Sequence, residues 1–481
     1  MGTGERKTLH AAALTGFALA LAPAAALAQQ PAPAAPSAIT ARPAPPPPPA
    51  LALPPSPQPR SQPASRIISL SEVQRAALEQ PQLLVARANT SIAKAQVEQT
   101  FAPFLPQLAA QASYTRETGN YAPHPGAIPS TASISLPPTN LSPDASFDYW
   151  NFGVTANQLI YDFGQTLGRY DAAKKTVEAQ RASEETARVQ VLLNVRRAYF
   201  TARANKDLVD VAHETLDDQN RHLVQVQGFV AVGTQPPIAL AQQKAAVANA
   251  QVQLITAQNG YETAKAQLNQ AAGLTGGTDY DVTDEASGPV EGEDQPRDQL
   301  IAVAMAARPE IAALVKQRAA QEATISAAKG AYGPSLSATA GFNEVGTSLS
   351  GLVPNWNAGV VATWQFYQGG LTIGQVHAAE AGLESVDAQR SLEELQVRAD
   401  VDSALLAVRA AKATIGAAED AVTSAHDQLR LAEQRYATGV GSIIELNDAQ
   451  VAYSSAAAQL VQARYQLASA RAQLLAALGR T

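Results

Sequence analysis

Three side chains toward the C-terminal end could do chemistry together: Tyr436, Glu445 and Asp448, within 436-YATGVGSIIELNDAQ-450. Two carboxylates three residues apart fall on one face of a helix. Several copies of such a pair around a constriction would favour cations and raise one another's pKa values by mutual repulsion. The same stretch also carries helix punctuation. Ser442-x-x-Glu445 has the pattern of a capping box, in which the serine hydroxyl accepts from a first-turn N–H and the glutamate reaches back to the cap. A cap accounts for Glu445 but leaves Asp448, which lies past the first turn, unexplained. A fainter copy, 230-VAVGTQPPIALAQQK-244, keeps the turn and lacks the carboxylates.

Other residue types exclude more than they offer. With no cysteine, the chain has no disulfides, thiolate metal sites or cysteine nucleophiles. Six scattered histidines form neither a triad nor a metal-ligand pattern; His213 and His222 sit on different helix faces. Asp162-Phe163-Gly164 is similar to a kinase metal-binding tripeptide, but no phosphate-binding glycine loop accompanies it. Its counterpart later in the chain is Gln368-Gly369-Gly370, so it reads as a hinge between strand and helix. A net charge of −7 without a basic run argues against nucleic acid as a partner. No constellation of catalytic side chains appears, so neither an enzyme nor a cofactor is expected.

The elements that must carry Glu445 and Asp448 follow from the rest of the chain. Residues 1–28 read as a signal peptide, with Arg6 and Lys7 before an apolar run and Ala26-Leu27-Ala28 at the cleavage site. Residues 29–65, rich in Pro and Ala, read as a disordered spacer. No later segment is apolar enough to span a bilayer as a helix, so any insertion must be by strands. The remainder is one unit written twice. At an offset of 206 residues Trp150 falls on Trp356, Tyr161 on Tyr367, Gly233 on Gly439 and Gly273 on Gly479. Upstream the offset is 228, matching Pro106 to Pro334, so copy one holds 22 extra residues between Thr115 and Phe147. The copies are expected at 66–273 and 301–481, joined by an acidic linker at 274–300.

Each copy reads helix, hairpin, long helix, turn, long helix. Val401, Val408, Ile415, Val422 and Leu429 recur every seven residues, with Ala404, Ala411, Ala418, Ala425 and Ala432 on the second seam position. After the turn Leu446, Tyr453, Leu460, Leu467 and Leu474 pair with Ala449, Ala456, Ala463, Ala470 and Ala477. Copy one repeats the pattern more loosely, through Val195, Val209, Leu216 and Leu223 and then Leu240, Val247 and Leu254. A sustained seven-residue repeat means helices supercoiled on neighbours, and alanine seams allow close approach. From Gly164 to Ala231 no proline intervenes, so one helix could run ~100 Å at 1.5 Å per residue.

Two hairpins, about 106–161 and 334–367, alternate with period two. Leu336, Ala338, Ala340 and Phe342 share one face, as do Trp356, Ala358, Val360, Ala362 and Trp364. Strands of this length with aromatics near their ends suit a transmembrane β-barrel wall. Four strands cannot close a barrel, and an open edge in lipid leaves unpaired N–H and C=O groups. The chain must then be an oligomer. A dimer of eight strands and a trimer of twelve are both admissible, and only the trimer leaves a lumen.

Taken together, the duplicated unit, 308-RPEI-311 leading to 332-YGPSL-336, 158-QLIYDFGQ-165 and the Tyr436-x-x-Gly439-x-x-Ser442 turn resemble the TolC family of outer-membrane efflux and secretion channels. The resemblance implies an α+β membrane protein whose homotrimer joins a 12-stranded β-barrel to a 12-helix α-barrel in the periplasm. It implies a passive exit duct for drugs, small molecules or a secreted protein. The partners implied are outer-membrane lipid, a periplasmic adaptor (membrane fusion protein) and an inner-membrane transporter of RND or ABC type, in efflux or type I secretion. On the family pattern Glu445 and Asp448 take the entrance carboxylate ring and Tyr436 the gate tyrosine. The tips, about 231–237 and 437–442, with Gly233, Thr234, Gly439, Gly441 and Ser442, take adaptor docking. The family's closing arginine and aspartate fall on Gly441 and Ala239 here, so the usual latch is missing. A pore-free periplasmic coiled-coil scaffold is the competing expectation.

Overall fold

A computed structural model describes residues 66–118, 146–285 and 288–480. The expected signal peptide and spacer, and most of the insertion between Thr115 and Phe147, lie outside the described residues.

Copy one begins with β1 (Arg66–Ile68), α1 (Leu70–Ala77), α2 (Pro81–Phe101) and a 3-10 turn (Ala102–Phe104). It continues through β2 (Gln107–Thr118), β3 (Ser146–Tyr161), α3 (Gln165–Ala231) and α4 (Pro237–Ala272). After β4 (Tyr280–Val282), copy two runs α5 (Arg297–Ala307), α6 (Pro309–Gly330), β5 (Ser335–Gly346), β6 (Val353–Thr363), α7 (Leu371–Ala437) and α8 (Ile443–Ala477). The long helices α3 and α7 each have 67 residues, and their ends differ by the same 206 positions as the sequence repeat. Two boundaries differ from expectation. The acidic segment 274–300 is not all linker, because it contains β4 and the first turn of α5. The second hairpin ends at Thr363 rather than 367.

Helix packing follows the seams. All five expected alanines of α7 and all five of α8 are buried, and Val401, Val408, Leu446 and Leu474 lie beneath them. Knobs as small as alanine let two helices approach closely along their whole shared length. Copy one is looser: Leu216 and Leu223 are only half-buried, and the buried stripe of α3 passes instead through Thr215, Asp218, Gln219, His222 and Val226.

Where the helices are about half-way along, two apolar clusters form a belt. One gathers Ile68, Val73, Val195, Tyr199, Leu268 and Val282; its repeat counterpart gathers Val290, Leu300, Ala304, Val397, Val401 and Leu474. Strand β4 pairs parallel with β1, Ile68 opposite Val282, which fastens the segment between the copies to the start of copy one. Equivalent lysines hold both sides. Lys206 reaches Asp281 at 2.5 Å, and Lys412 reaches Glu293 at 2.8 Å and Asp294 at 2.9 Å.

The four long strands form one antiparallel sheet in the order β2-β3-β5-β6. Its register settles which side chains share a face. Leu108 stands opposite Ala156, Ala110 opposite Val154, Ala112 opposite Phe152 and Tyr114 opposite Trp150. The same row continues from Val154 to Phe342 to Trp356, and from Ala338 to Val360. The other face carries Gln107, Gln111, Ser113, Asn151, Thr155, Asn157, Thr339, Asn343, Asn355 and Asn357. Away from the hairpin ends, where Arg116, Asp148 and Glu344 share the first face and Glu117 the second, one face is therefore apolar and the other polar. Both are largely bare in the single chain, with Leu108, Val154, Trp356 and Val360 exposed. Aromatic rings mark two levels on the apolar side. Tyr114 packs on Trp150 at 4.6 Å near one end, and Trp364 donates its indole N–H to the Tyr332 carbonyl at the other.

The junction from sheet to helix is sharp. Phe163 has φ +54°, a left-handed conformation costly for a side-chain residue, where copy two has Gly369 at φ +59°. Asp162 accepts from the Thr166 N–H at 2.8 Å and so caps α3. Asp162-Phe163-Gly164 is thus built as a turn that starts a helix.

Candidate functional site

Both helical hairpins reverse by the same C-cap. In copy two the Gly439 N–H donates to the Tyr436 carbonyl at 3.0 Å and the Val440 N–H to Arg435 at 3.0 Å. In copy one Gly233 donates to Val230 at 3.1 Å and Thr234 to Phe229 at 2.9 Å. These paired bonds form a Schellman motif, which needs a left-handed residue just past the helix. Gly439 at φ +76° and Gly233 at φ +79° supply it. Gly439→Ala should cost about 1–2 kcal/mol of local stability. The expected result is faster amide exchange over residues 434–442 with the belt unchanged, read by hydrogen–deuterium exchange.

Gly441 has a different constraint. A Cβ there would stand 2.9 Å from the Tyr436 nitrogen and 3.0 Å from Arg435 Cβ. The turn folds back on the helix end so tightly that the arginine of the family pattern would force it open. Ala239, the other latch position, is buried in the tip core with Val226, Leu429, Ala432, Tyr436, Ile443, Leu446 and Ala449. Packing joins the two hairpins where the family pattern has an ionic link.

Tyr436 lies at the centre of this core, 0% exposed and edge-on to Phe229 at 5.8 Å. Its hydroxyl has no hydrogen-bond partner, and burial pushes its pKa up. Ser442 caps α8 as the sequence suggests, accepting from the Glu445 N–H at 3.1 Å. The other half of the capping box is not formed. The Glu445 carboxylate instead takes Arg435 Nε at 3.0 Å, across the turn. Arg435 went unnoticed in the sequence reading; a cation in the last turn of α7 facing an anion in the first turn of α8 was its signal. Asp448 is exposed one turn further along α8, and no ion pair joins it among the described residues. Thr234 is exposed, with its hydroxyl donating to the Phe229 carbonyl at 2.9 Å.

The family model for outer membrane efflux proteins matches residues 73–274 and 300–480, which together hold both copies and both tips. The chain belongs to the outer membrane efflux protein family. Outer membrane protein TolC of Escherichia coli is 25% identical over 429 residues, covering 84% of this chain and 81% of its own. The toluene efflux pump outer membrane protein TtgC of Pseudomonas putida is 26% identical over 343 residues, 68% of each chain. The same fold recurs in the CmeC outer membrane channel of Campylobacter jejuni, with a TM-score of 0.71 at 20% identity over 85% of each chain. It recurs in VceC of Vibrio cholerae, with a TM-score of 0.71 at 20% identity over 85% of this chain and 96% of that one. This outer membrane efflux protein is thus a TolC-like outer-membrane channel with a periplasmic tunnel, as the resemblance implied.

Proposed function

We propose that three copies of this chain close a 12-stranded barrel above a 12-helix tunnel, forming the exit duct of a tripartite efflux pump for small molecules. The observation that carries the proposal is the sheet, with one face apolar and one polar over most of its length, and outer edges on β2 and β6 that no strand of the chain covers among the described residues. In lipid each uncovered edge group would cost several kcal/mol, so the β6 edge of one copy must meet the β2 edge of the next. Relatives named as a toluene efflux pump protein and an antibiotic efflux pump protein support small-molecule cargo. A secreted polypeptide in a type I system is the other use of the same duct.

The tips form the entrance and the docking end for a periplasmic adaptor, itself coupled to an inner-membrane transporter. Gly233, Thr234, Gly439, Gly441 and Ser442 keep the turns slim. Beside them Val232, Ile238, Val440 and Ile444 are exposed, the two isoleucines at equivalent positions of the copies. Tyr436 holds the closed packing, and Glu445 with Asp448 line the opening. Because Arg435 already partners Glu445, Asp448 sets most of the entrance charge. In planar bilayers the purified protein should give discrete current steps that multivalent cations block. Asp448→Asn should relieve that block more than Glu445→Gln does, and the double variant should relieve it most. Unchanged block in the double variant would remove the charged entrance, and no current from properly inserted wild type would favour a pore-free scaffold.

A further inference from the structure

Two to three helical turns from the tip, the seam of copy one changes character. Gln219 of α3 and Gln243 of α4 occupy the second seam position, where copy two has Ala425 and Ala449. Gln243 is fully buried and donates to Gln219 twice, to its carbonyl at 2.9 Å and to its Oε1 at 2.6 Å. Asp218 is 6% exposed and accepts from Gln450 Nε2 of α8 at 3.1 Å, with Arg221 on its other oxygen. One turn further, His222 is also 6% exposed, and its Nε2 stands 3.7 Å from Glu433 of α7, too far for a hydrogen bond. All four helices meet in this polar layer.

The layer is incompletely satisfied. Among the described residues nine buried side-chain atoms lack a hydrogen-bond partner, and five cluster here and at the tip: His222 Nε2, Gln243 Oε1, Gln450 Oε1, Tyr436 Oη and Asn447 Oδ1. Each orphaned group loses its water without gaining a bond in return, so this end of the hairpins is held more weakly than its apolar packing alone suggests. The belt differs, because Glu293 there has its oxygens filled by Arg471 and Lys412.

We propose that this layer is a proton-operated release for the tip, in which uptake of one proton by His222 loosens α3 from α7 and α8 and favours the open entrance. The neutral imidazole fits the packed arrangement. An imidazolium there would be a buried charge with no hydrogen-bonded anion, and Glu433, 43% exposed, draws it outward toward water. The groups acting on His222 are Asp218 and Arg221 on α3, Glu433 on α7 and Gln450 on α8, with Gln243 of α4 in the same layer; Glu214 on α3 and the exposed His426 on α7 lie by Tyr453 of α8. Burial lowers the His222 pKa, while Glu433 and Asp218 raise it, Arg221 lowers it and the Gln450 side chain raises it, and the net is downward. The packed state therefore binds the proton less well than the open one. Its stability is full above the ordinary histidine pKa of about 6.5 and declines as pH falls through the lowered value.

The switch rests on the tips being an entrance, so the test reads the helices and the current separately. Full-length protein in lipid nanodiscs is followed by hydrogen–deuterium exchange at pH 7.5 and 5.5, corrected for intrinsic exchange rates. Wild type should lose protection several-fold over 215–229 and 443–453 at the lower pH, with the belt unchanged. His222→Gln, which cannot titrate, should be flat between the two pH values. Glu433→Gln removes a carboxylate that raises the packed-state pKa, so it widens the gap between the packed and open states and should deepen the loss of protection at pH 5.5. His426→Gln should leave that loss as in wild type. A flat wild type, or an undiminished response in His222→Gln, overturns the switch. If His222→Gln does not fold, a loss in Glu433→Gln no deeper than in wild type does so instead. A pH response in exchange without pore current would overturn the channel and leave the switch standing.

Discussion

Val360→Arg is expected to abolish accumulation of the folded protein in the outer membrane, while Thr339→Lys at nearly the same depth is tolerated. Val360 lies opposite Ala338 on the apolar face, midway between Trp356 and Trp364. The two tryptophans are eight positions apart, ~26 Å along the strand at ~3.3 Å per residue and roughly 20 Å of height at a tilt of about 35–45°, so both fall within an apolar band ~25 Å tall and its flanking aromatic girdles. A charged side chain at the midplane of the lipid face costs about 2–4 kcal/mol. In the proposed trimer three copies of that cost would fall on one barrel. Thr339 is the next residue after Ala338 and points to the other face, beside Asn157 and opposite Gly359. A lysine there meets water in the lumen and should alter ion selectivity, with little effect on assembly. Heat-modifiable migration of the trimer in outer-membrane fractions reads both outcomes. Equal tolerance of the two substitutions would mean that the apolar face does not meet lipid.

The contrast shows how much the sequence alone carried. Period-two alternation sets Thr339 on the face away from Ala338 and Phe342, and Val360 in line with Trp356, because strand geometry leaves no other choice within one strand. Register was not legible. Only the pairing of Val154 with Phe342, and of Phe342 with Trp356, shows that four separate apolar rows merge into one surface. The long helices end at Ala231 and Ala437, at the start of the tips expected at about 231–237 and 437–442, since a glycine and a seven-residue repeat leave little freedom. Copy two was also legible in depth, where every seam alanine is buried. Copy one was not, because polar residues at its seam positions could have faced water. Their burial depends on α8 from the other copy, hundreds of residues away. The same limit hid the Arg435–Glu445 pair. A capping box uses the positions nearest in sequence, and the turn brought a nearer cation in space. The tip carboxylates were thus easy to find and hard to assign, since their type was written locally and their partners were not.

The belt supplies the largest stability effect away from the sheet. Glu293 is 4% exposed and accepts from Arg471 at 2.9 and 3.0 Å, from Lys412 at 2.8 Å and from the Val290 N–H at 3.0 Å. It ties the segment between the copies to α7 and α8 together. Burial pushes this carboxyl up, but the bonds from Arg471, Lys412 and Val290 outweigh it and hold it at about 2. Released on unfolding, the group returns to its ordinary value of 4.5. Such a gap corresponds to about 3 kcal/mol, fully present above the unfolded value and lost as pH falls toward the folded one. Glu293→Leu removes the carboxylate that faces a nearly buried guanidinium, and should destabilise by about 3–5 kcal/mol at neutral pH. Lys206→Met on the copy-one side should cost less, because Asp281 keeps the Tyr261 hydroxyl at 2.6 Å and the Val282 N–H at 3.0 Å. Thermal unfolding of detergent-solubilised wild type and Glu293→Leu, compared from pH 7 downward, separates the two sources of stability. The melting curves should lie far apart at pH 7, converge below about pH 4.5 and meet near pH 2. A gap that persists undiminished to pH 2 would assign the loss to packing around residue 293 rather than to its charge.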